Sequence, residues 1–253
     1  MRQGLRDKVV LITGTGGGMG REAALRFAAA GAIVVGCDVD EEANKQTLSE
    51  VEAAGGVMDG QAPVDLGDSA QATAWVERAA REHGRIDVVY NNASTARFAP
   101  VASMSDEDWR FTLRNELDLV FYVTRAAWPH LAERGGVIIN IASVAAHRGN
   151  RQVPILAHSA TKGGVVAMTR QLAAEGAPHG IRAVSISPGT IETPGTAATL
   201  ADPAVQAGLL SQTLTARLGV PTDVVSLALH LAGDEAGFLT GIDFLVDGGM
   251  TAF

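Results

Sequence analysis

The residues of this chain best equipped for chemistry are His158 and Lys162, four positions apart in the run His158-Ser159-Ala160-Thr161-Lys162. On a helix that spacing puts both side chains on one face. A neutral imidazole takes a proton from a hydroxyl near neutral pH, so His158 can act as the base in an alcohol oxidation. A nearby ammonium disfavours the imidazolium and keeps the ring in its accepting form. Ser143 closes the run Ile138-Ile-Asn-Ile-Ala-Ser, where a hydroxyl at a strand end reaches the crevice of an α/β sheet. Asn115 is a mid-helix amide, a residue type found there when it serves a reacting group or a backbone group.

A second set of residues has the spacing of a nucleotide site. Thr13-Gly14-Thr15-Gly16-Gly17-Gly18-Met19-Gly20 separates a short apolar run from a helical one. Small residues let the backbone approach a pyrophosphate, and the following helix N-terminus offers free N–H groups and a favourable dipole. Asp38 lies just past the second strand, where a carboxylate accepts from both ribose hydroxyls of NAD and repels the 2′-phosphate of NADP. The turn Gly14 to Gly20 and the six residues after Asp38 hold no Arg or Lys, so NAD is the expected cofactor. A competing role for Asp38 is to cap the helix that begins near Glu41. Asp65 follows a third strand and has the same two readings, an acceptor for the adenine amino group or a cap for the helix near Ser69.

Other chemistries fit less well. The histidines His83, His130, His147, His158, His179 and His230 form no close pair with each other or with Cys37, so no metal site is expected. Ser143 with His158 could form part of a hydrolase. Ser143 is not in a Gly-x-Ser-x-Gly elbow, however, and Lys162 stands where an orienting acid would be needed. His147, Arg148 and Arg97 are candidates for the substrate entrance, where Arg148 could pair with an anionic substrate group.

These residues need a scaffold, and the hydrophobic pattern supplies one. Short apolar runs at 8–13, 32–37, 57–63, 86–90, 136–141, 181–186 and 244–247 read as strands. Helical patterns at 21–30, 41–54, 70–83, 106–133 (one helix or two abutting), 159–177 and 220–231 alternate with them. The alternation predicts βαβ units in a Rossmann-like, doubly wound parallel sheet with helices on both faces. Residues 192–216, poor in charge, are a candidate substrate lid.

A chain of 253 residues can bury a large core, and one domain over 1–253 is the simplest organisation. Lys plus Arg number 20 against 28 Asp plus Glu, a net charge of -8 that argues against nucleic acid and anionic membrane as partners. The apolar run Val9–Thr13 is too short for a signal core or a membrane span, which makes a cytoplasmic protein the default. The single cysteine, Cys37, sits in an apolar run and reads as a small buried side chain.

With these motifs in this order, the chain resembles the short-chain dehydrogenase/reductase family, in its classical branch, over essentially its whole length. Thr13-Gly14 with Gly18, Met19 and Gly20 resembles the family's cofactor turn, and Asp65 its acidic residue beside the adenine. Asn91-Asn92-Ala93 resembles the Asn-Asn-Ala-Gly element, with Ser94 in place of the glycine. Asn115, Ser143 and Lys162 match the catalytic asparagine, serine and lysine. Pro188-Gly189-Thr190-Ile191-Glu192-Thr193 matches the loop beside the nicotinamide, and Asp247-Gly248-Gly249 the C-terminal segment. The resemblance implies an NAD-dependent hydride transfer between a secondary alcohol and its ketone. In that chemistry the serine orients the substrate oxygen, the asparagine holds a water, and the lysine holds the ribose. It also implies a homotetramer, paired through the helices at 106–133 and 159–177, with the C-terminal 248–253 a candidate to reach a neighbouring subunit.

The resemblance calls for a tyrosine at position 158, and the chain has histidine there. Its two tyrosines, Tyr90 and Tyr122, do not stand four residues before a lysine. Ser143 precedes His158 by 15 residues, slightly more than is usual, so the polar loop His147–Gln152 is enlarged. Three readings stay open: a dehydrogenase using His158 as base or relay, a variant disabled at this position, and a non-catalytic NAD-binding protein of the same fold.

Overall fold

The computed structural model describes residues 4–252. Seven parallel strands form one sheet in the order β3-β2-β1-β4-β5-β6-β7. They are β1 (Val9–Thr13), β2 (Ile33–Cys37), β3 (Val57–Gln61), β4 (Val88–Asn91), β5 (Gly136–Ile141), β6 (Ile181–Pro188) and β7 (Asp243–Val246). Strand order reverses between β1 and β4, the place where a doubly wound sheet opens a ligand crevice beyond its carboxyl ends. The expected fold class is therefore the observed one.

Strand alternation feeds two cores. Val10 and Ile12 of β1 face one layer, with Phe27 and Tyr90, packed under α1 (Gly18–Ala29) and the late helix α9 (Pro221–Ala232). Val9 and Leu11 face the other, with Trp75, Val123 and Leu131. That layer lies under α3 (Ser69–His83), α5 (Leu119–Ala132) and α6 (Leu156–Gly176). Both strand faces are apolar because helices cover both. The helix α2 (Glu41–Ala53) flanks β3.

Several boundaries differ from the sequence pattern. The first helix begins at Gly18, ahead of its apolar periodicity, because the glycine turn itself winds into it. The segment 106–133 is two helices, α4 (Asp106–Leu113) and α5, joined by a π turn over Arg114–Asp118. There the Leu119 N–H reaches back to the Arg114 carbonyl. α6 begins at Leu156, so His158 lies inside its first turn. Segment 192–216 carries two short helices, α7 (Ala197–Leu200) and α8 (Pro203–Leu210). No helix among the described residues is long and apolar enough to cross a membrane.

Candidate active site

One crevice of about 720 Å³ runs along the carboxyl ends of the strands, within the size range of ligand sites. Gly14, Gly18 and Met19 line it from the first βα turn, Asp38 from the end of β2 and Asp65 from beyond β3. Asn92 and Ala93 line it after β4, Ser143 after β5, and Pro188, Gly189, Ile191 and Thr193 at and after β6. Asn115, His158 and Lys162 complete it from the helical side.

The first turn is shaped for close approach. Gly14 has φ +75, and a Cβ there would lie 2.9 Å from the Ala93 Cα. Thr13 Oγ1 accepts from the N–H groups of Asn92 and Ala93 at 2.9 Å each, and Asn92 Nδ2 donates to the Thr13 carbonyl at 3.0 Å. These bonds tie the β4 end to the turn. Helix α1 starts with no side-chain cap, and a Cβ on Gly17 would meet nothing within 4 Å. Free N–H groups at a helix N-terminus beside open space form a cradle for a diphosphate, and the buried Asn92 Oδ1 has no hydrogen-bond partner. The turn therefore fits a dinucleotide. Gly20 does not line the crevice. A Cβ at that position would fall 1.9 Å from the Gly14 carbonyl oxygen, so its work is to let the turn and the helix touch.

The two carboxylates are freed from the capping roles that competed for them. Asp40 caps α2, accepting from the Ala43 N–H at 3.0 Å. Asp38 accepts from the Gly16 N–H at 2.7 Å and from the Asp40 N–H at 2.9 Å, which fixes its carboxylate at the crevice wall. The guanidinium of Arg21, the first basic residue after the turn, is bound to the Gly16 carbonyl and Thr47 Oγ1. Asp68 caps α3. Asp65 accepts from the Gly67 N–H at 3.0 Å and pairs with Arg114 at 2.6 Å, a partner that no local motif announced.

The candidate reacting groups, Ser143 after β5 and Asn115, His158 and Lys162 on the helical side, line the same crevice. Ser143 Oγ accepts from the Ala145 N–H at 3.1 Å, and its own proton has no acceptor among the described residues. Asn115 sits in the π turn and donates to the Phe111 carbonyl at 2.8 Å, so its amide serves the backbone. Lys162 is 3 % exposed and donates to the Ile141 carbonyl at 3.1 Å. Burial pushes its ammonium below the ordinary lysine range, and the Glu116 charge partly offsets this. π turns of this kind recur at functional sites.

Glu116 is the residue that motif reading missed. It is 1 % exposed, and His158 Nδ1 lies 2.9 and 3.0 Å from its two oxygens. Ser94 Oγ donates to Oε1 at 2.7 Å and Thr161 Oγ1 to Oε2 at 2.5 Å. Burial alone would raise this carboxyl. The His158 hydrogen bond, the charges of Lys162 and His158, and the Thr161 hydroxyl together hold it below the ordinary carboxylate value. A carboxylate therefore touches the imidazole, in addition to the ammonium that the same helix carries. The phenyl of Phe98 meets that ring edge-on, with centroids 5.9 Å apart.

Other candidates lie elsewhere. His147 is bound to Asp243 at 2.7 Å and does not line the crevice, whereas Arg148 does. Arg97 pairs with Glu107 and Asp108 at 3.0 Å each, over the Phe111 ring. Tyr90 is buried against Phe27, its hydroxyl pushed up by burial, and neither it nor Tyr122 lines the crevice. Among the described residues, Asp59, Glu82 and His83 alone lie close enough together for a metal. Arg78 already pairs with both of those carboxylates.

A crevice at the reversal of a doubly wound sheet, with a glycine cradle and an acid at the second strand, defines a dinucleotide-binding oxidoreductase fold. A family model described as enoyl-(acyl carrier protein) reductase matches residues 14–251. The chain is 39 % identical to the (2S)-[(R)-hydroxy(phenyl)methyl]succinyl-CoA dehydrogenase subunit BbsD of Thauera aromatica, covering 99 % of each chain. It is 36 % identical to the 3-oxoacyl-[acyl-carrier-protein] reductase FabG of Thermotoga maritima, over 97 % of this chain and 98 % of that one. A crystal structure of a proposed short-chain dehydrogenase/reductase from Burkholderia xenovorans superposes with a TM-score of 0.94 at 32 % identity, over 98 % of both chains. The chain belongs to the short-chain dehydrogenase/reductase family of NAD(P)-dependent oxidoreductases.

Proposed function

We propose that this protein oxidises a secondary alcohol to its ketone with NAD, using His158 where the family uses tyrosine. The observation that carries this reading is one crevice holding Ser143, Lys162 and a His158 that is bound through Nδ1 to a buried carboxylate. The Gly14–Gly18 turn would hold the diphosphate. Asp38 would take the adenosine ribose hydroxyls, Asp65 the adenine amino group and Lys162 the second ribose. Pro188, Gly189, Ile191 and Thr193 would flank the nicotinamide, which supplies the hydride acceptor when bound. Ser143 donates its free proton to the substrate oxygen. His158 removes the hydroxyl proton at Nε2, the ring nitrogen that Glu116 does not engage.

The preference for NAD rests on the fixed Asp38 carboxylate, which leaves no room for the charge of a 2′-phosphate. Arg148 supports a substrate that bears a carboxylate. Its guanidinium is held by neutral acceptors, the Met250 carbonyl and Gln212 Oε1, and has no acid partner among the described residues. The Thauera aromatica relative is named for a secondary alcohol on a succinyl group, which carries such a carboxylate. Gln212 follows α8, so Arg148 also fastens the 192–216 segment in its proposed role as a lid. We place the protein in the cytoplasm as a homotetramer. The exposed Phe121 of α5, and Phe238 and Leu245 at the β7 edge, favour contact with further copies of this chain.

The test is NAD reduction over a panel of neutral and carboxylate-bearing secondary alcohols from pH 6 to 10. Turnover that falls on the order of 10²-fold or more in His158→Ala supports the reading. NAD binding without reduction of any alcohol would instead assign a non-catalytic or disabled NAD-binding protein. Turnover unchanged by His158→Ala would remove His158 from the chemistry.

A further inference from the structure

We infer that Glu116 is the positioning residue of this site, fixing His158 with its proton on Nδ1 and its lone pair on Nε2, and that Ser94, Glu116, His158 and Thr161 form one built unit. This inference rests on the reading of His158 as the base, but its geometry stands apart from any turnover.

A carboxylate with 1 % exposure persists only when donors surround it, because desolvation otherwise neutralises it. Glu116 has three. Ser94 occupies Oε1 and Thr161 Oε2, and His158 Nδ1 bridges both oxygens. Thr161 Oγ1 also lies 2.9 Å from the His158 carbonyl, but a hydroxyl has one proton and the carboxylate is the stronger acceptor. A neutral His158 with its proton on Nε2 would turn the Nδ1 lone pair against the carboxylate. Only the Nδ1–H form is compatible with this contact.

The π turn makes the arrangement possible. Neighbouring residues of a regular helix point about 100° apart, yet Asn115 and Glu116 both line the crevice. The widened turn at Arg114–Asp118 is what aims the second one inward.

Two departures from the family pattern, His158 for tyrosine and Ser94 for glycine, meet on this one carboxylate. Random loss of a catalytic tyrosine would not assemble donors around a buried acid. A tyrosine restored at 158 would present a ring carbon where Nδ1 now donates, and would strand Glu116. The other ionisable groups lining the crevice are Lys162, from the same helix as His158, and Cys37, Asp38, Asp65 and Arg148. None of these replaces the Glu116 contact.

The experiment is nitrogen NMR of the full chain labelled with ¹⁵N-histidine, at a pH where the ring is neutral, with His158 assigned by its loss in His158→Asn. A protonated Nδ1 and an unprotonated Nε2 are expected in the wild type. Loss of that preference is expected in Glu116→Leu, which removes the acceptor. An Nε2–H ring in the wild type, or a tautomer unmoved by Glu116→Leu, overturns the inference. In the alcohol assay, Glu116→Leu should lower kcat on the order of 10²-fold with little change in KM. Glu116→Asp should recover part of the rate. His158→Tyr alone should be inactive, and His158→Tyr with Glu116→Leu should regain turnover. Full activity of His158→Tyr alone would overturn the built unit. The expected tautomer without turnover in any form would sustain the role of Glu116 and remove only the dehydrogenase reading.

Discussion

A His158→Leu exchange removes the Nδ1–H donor from the buried Glu116 carboxylate, and its cost can be worked from the contacts. Losing a hydrogen bond to a charged group costs roughly 1.5–3 kcal/mol. Ser94 and Thr161 keep two hydrogen bonds to the acid, but Glu116 is 1 % exposed, so the upper end, about 3 kcal/mol, applies. For a chain of this size that is a fall in Tm of roughly 6–12 °C, at 2–4 °C per kcal/mol. Glu116→Leu alone should cost about 2 kcal/mol, since it leaves the His158 Nδ1–H without its acceptor and Lys162 buried without its compensating charge. The double variant replaces both partners by apolar groups, so it should cost less than the sum by about 2 kcal/mol. Urea unfolding at fixed protein concentration measures all three. The sign with pH follows from Glu116, whose carboxyl lies below its ordinary value in the native chain. Its stabilisation is present above the unfolded carboxylate range and lost as pH falls through the native value. In His158→Leu, burial without the imidazole pushes that carboxyl up, so the deficit against wild type is greatest at neutral pH and shrinks in acid. A His158→Leu cost below about 1 kcal/mol, additive with Glu116→Leu, would refute the reasoning.

Gly20→Ala places a methyl 1.9 Å from the Gly14 carbonyl oxygen, so the turn must open. Nucleotide binding, followed by fluorescence titration, should weaken by at least tenfold, and unchanged affinity would show that the turn is free to adjust. Arg148→Gln should raise KM for carboxylate-bearing alcohols on the order of tenfold and leave neutral alcohols unaffected. An equal effect on both would make Arg148 a tether of the 212 and 250 segments only. Asp223 is held down at about 2, first by the Arg217 hydrogen bond and then by the Val220 N–H. Its stabilising share is complete above the unfolded carboxylate range near pH 4 and lost as pH falls towards 2, so Asp223→Asn should flatten that part of an acid-unfolding curve.

What the sequence by itself determined is whatever repeats locally. Apolar runs of five or six residues alternating with helical periods announced the parallel sheet, and the glycines between β1 and α1 announced the cradle. Asp38, Ser143 and Lys162 were legible because each follows a strand end or sits one helical turn from another marked residue. The capping roles of Asp40 and Asp68 lie only two or three residues from the positions first considered, within the error of reading a helix start from composition. Tertiary structure decided what joins distant segments. Glu116 and His158 are 42 residues apart, and Arg114 and Asp65 are 49 apart. A glutamate in Arg-Asn-Glu-Leu looks like one more solvated helix charge until a π turn aims it inward. That turn has no sequence period of its own, because it depends on packing that lets one helical hydrogen bond slip. Arg148 and His147 are neighbours in one polar loop, yet one lines the crevice and the other is bound to β7. Local propensity sets which elements form. Only their packing sets which buried charge meets which partner, because desolvation and pairing are properties of the assembled interior.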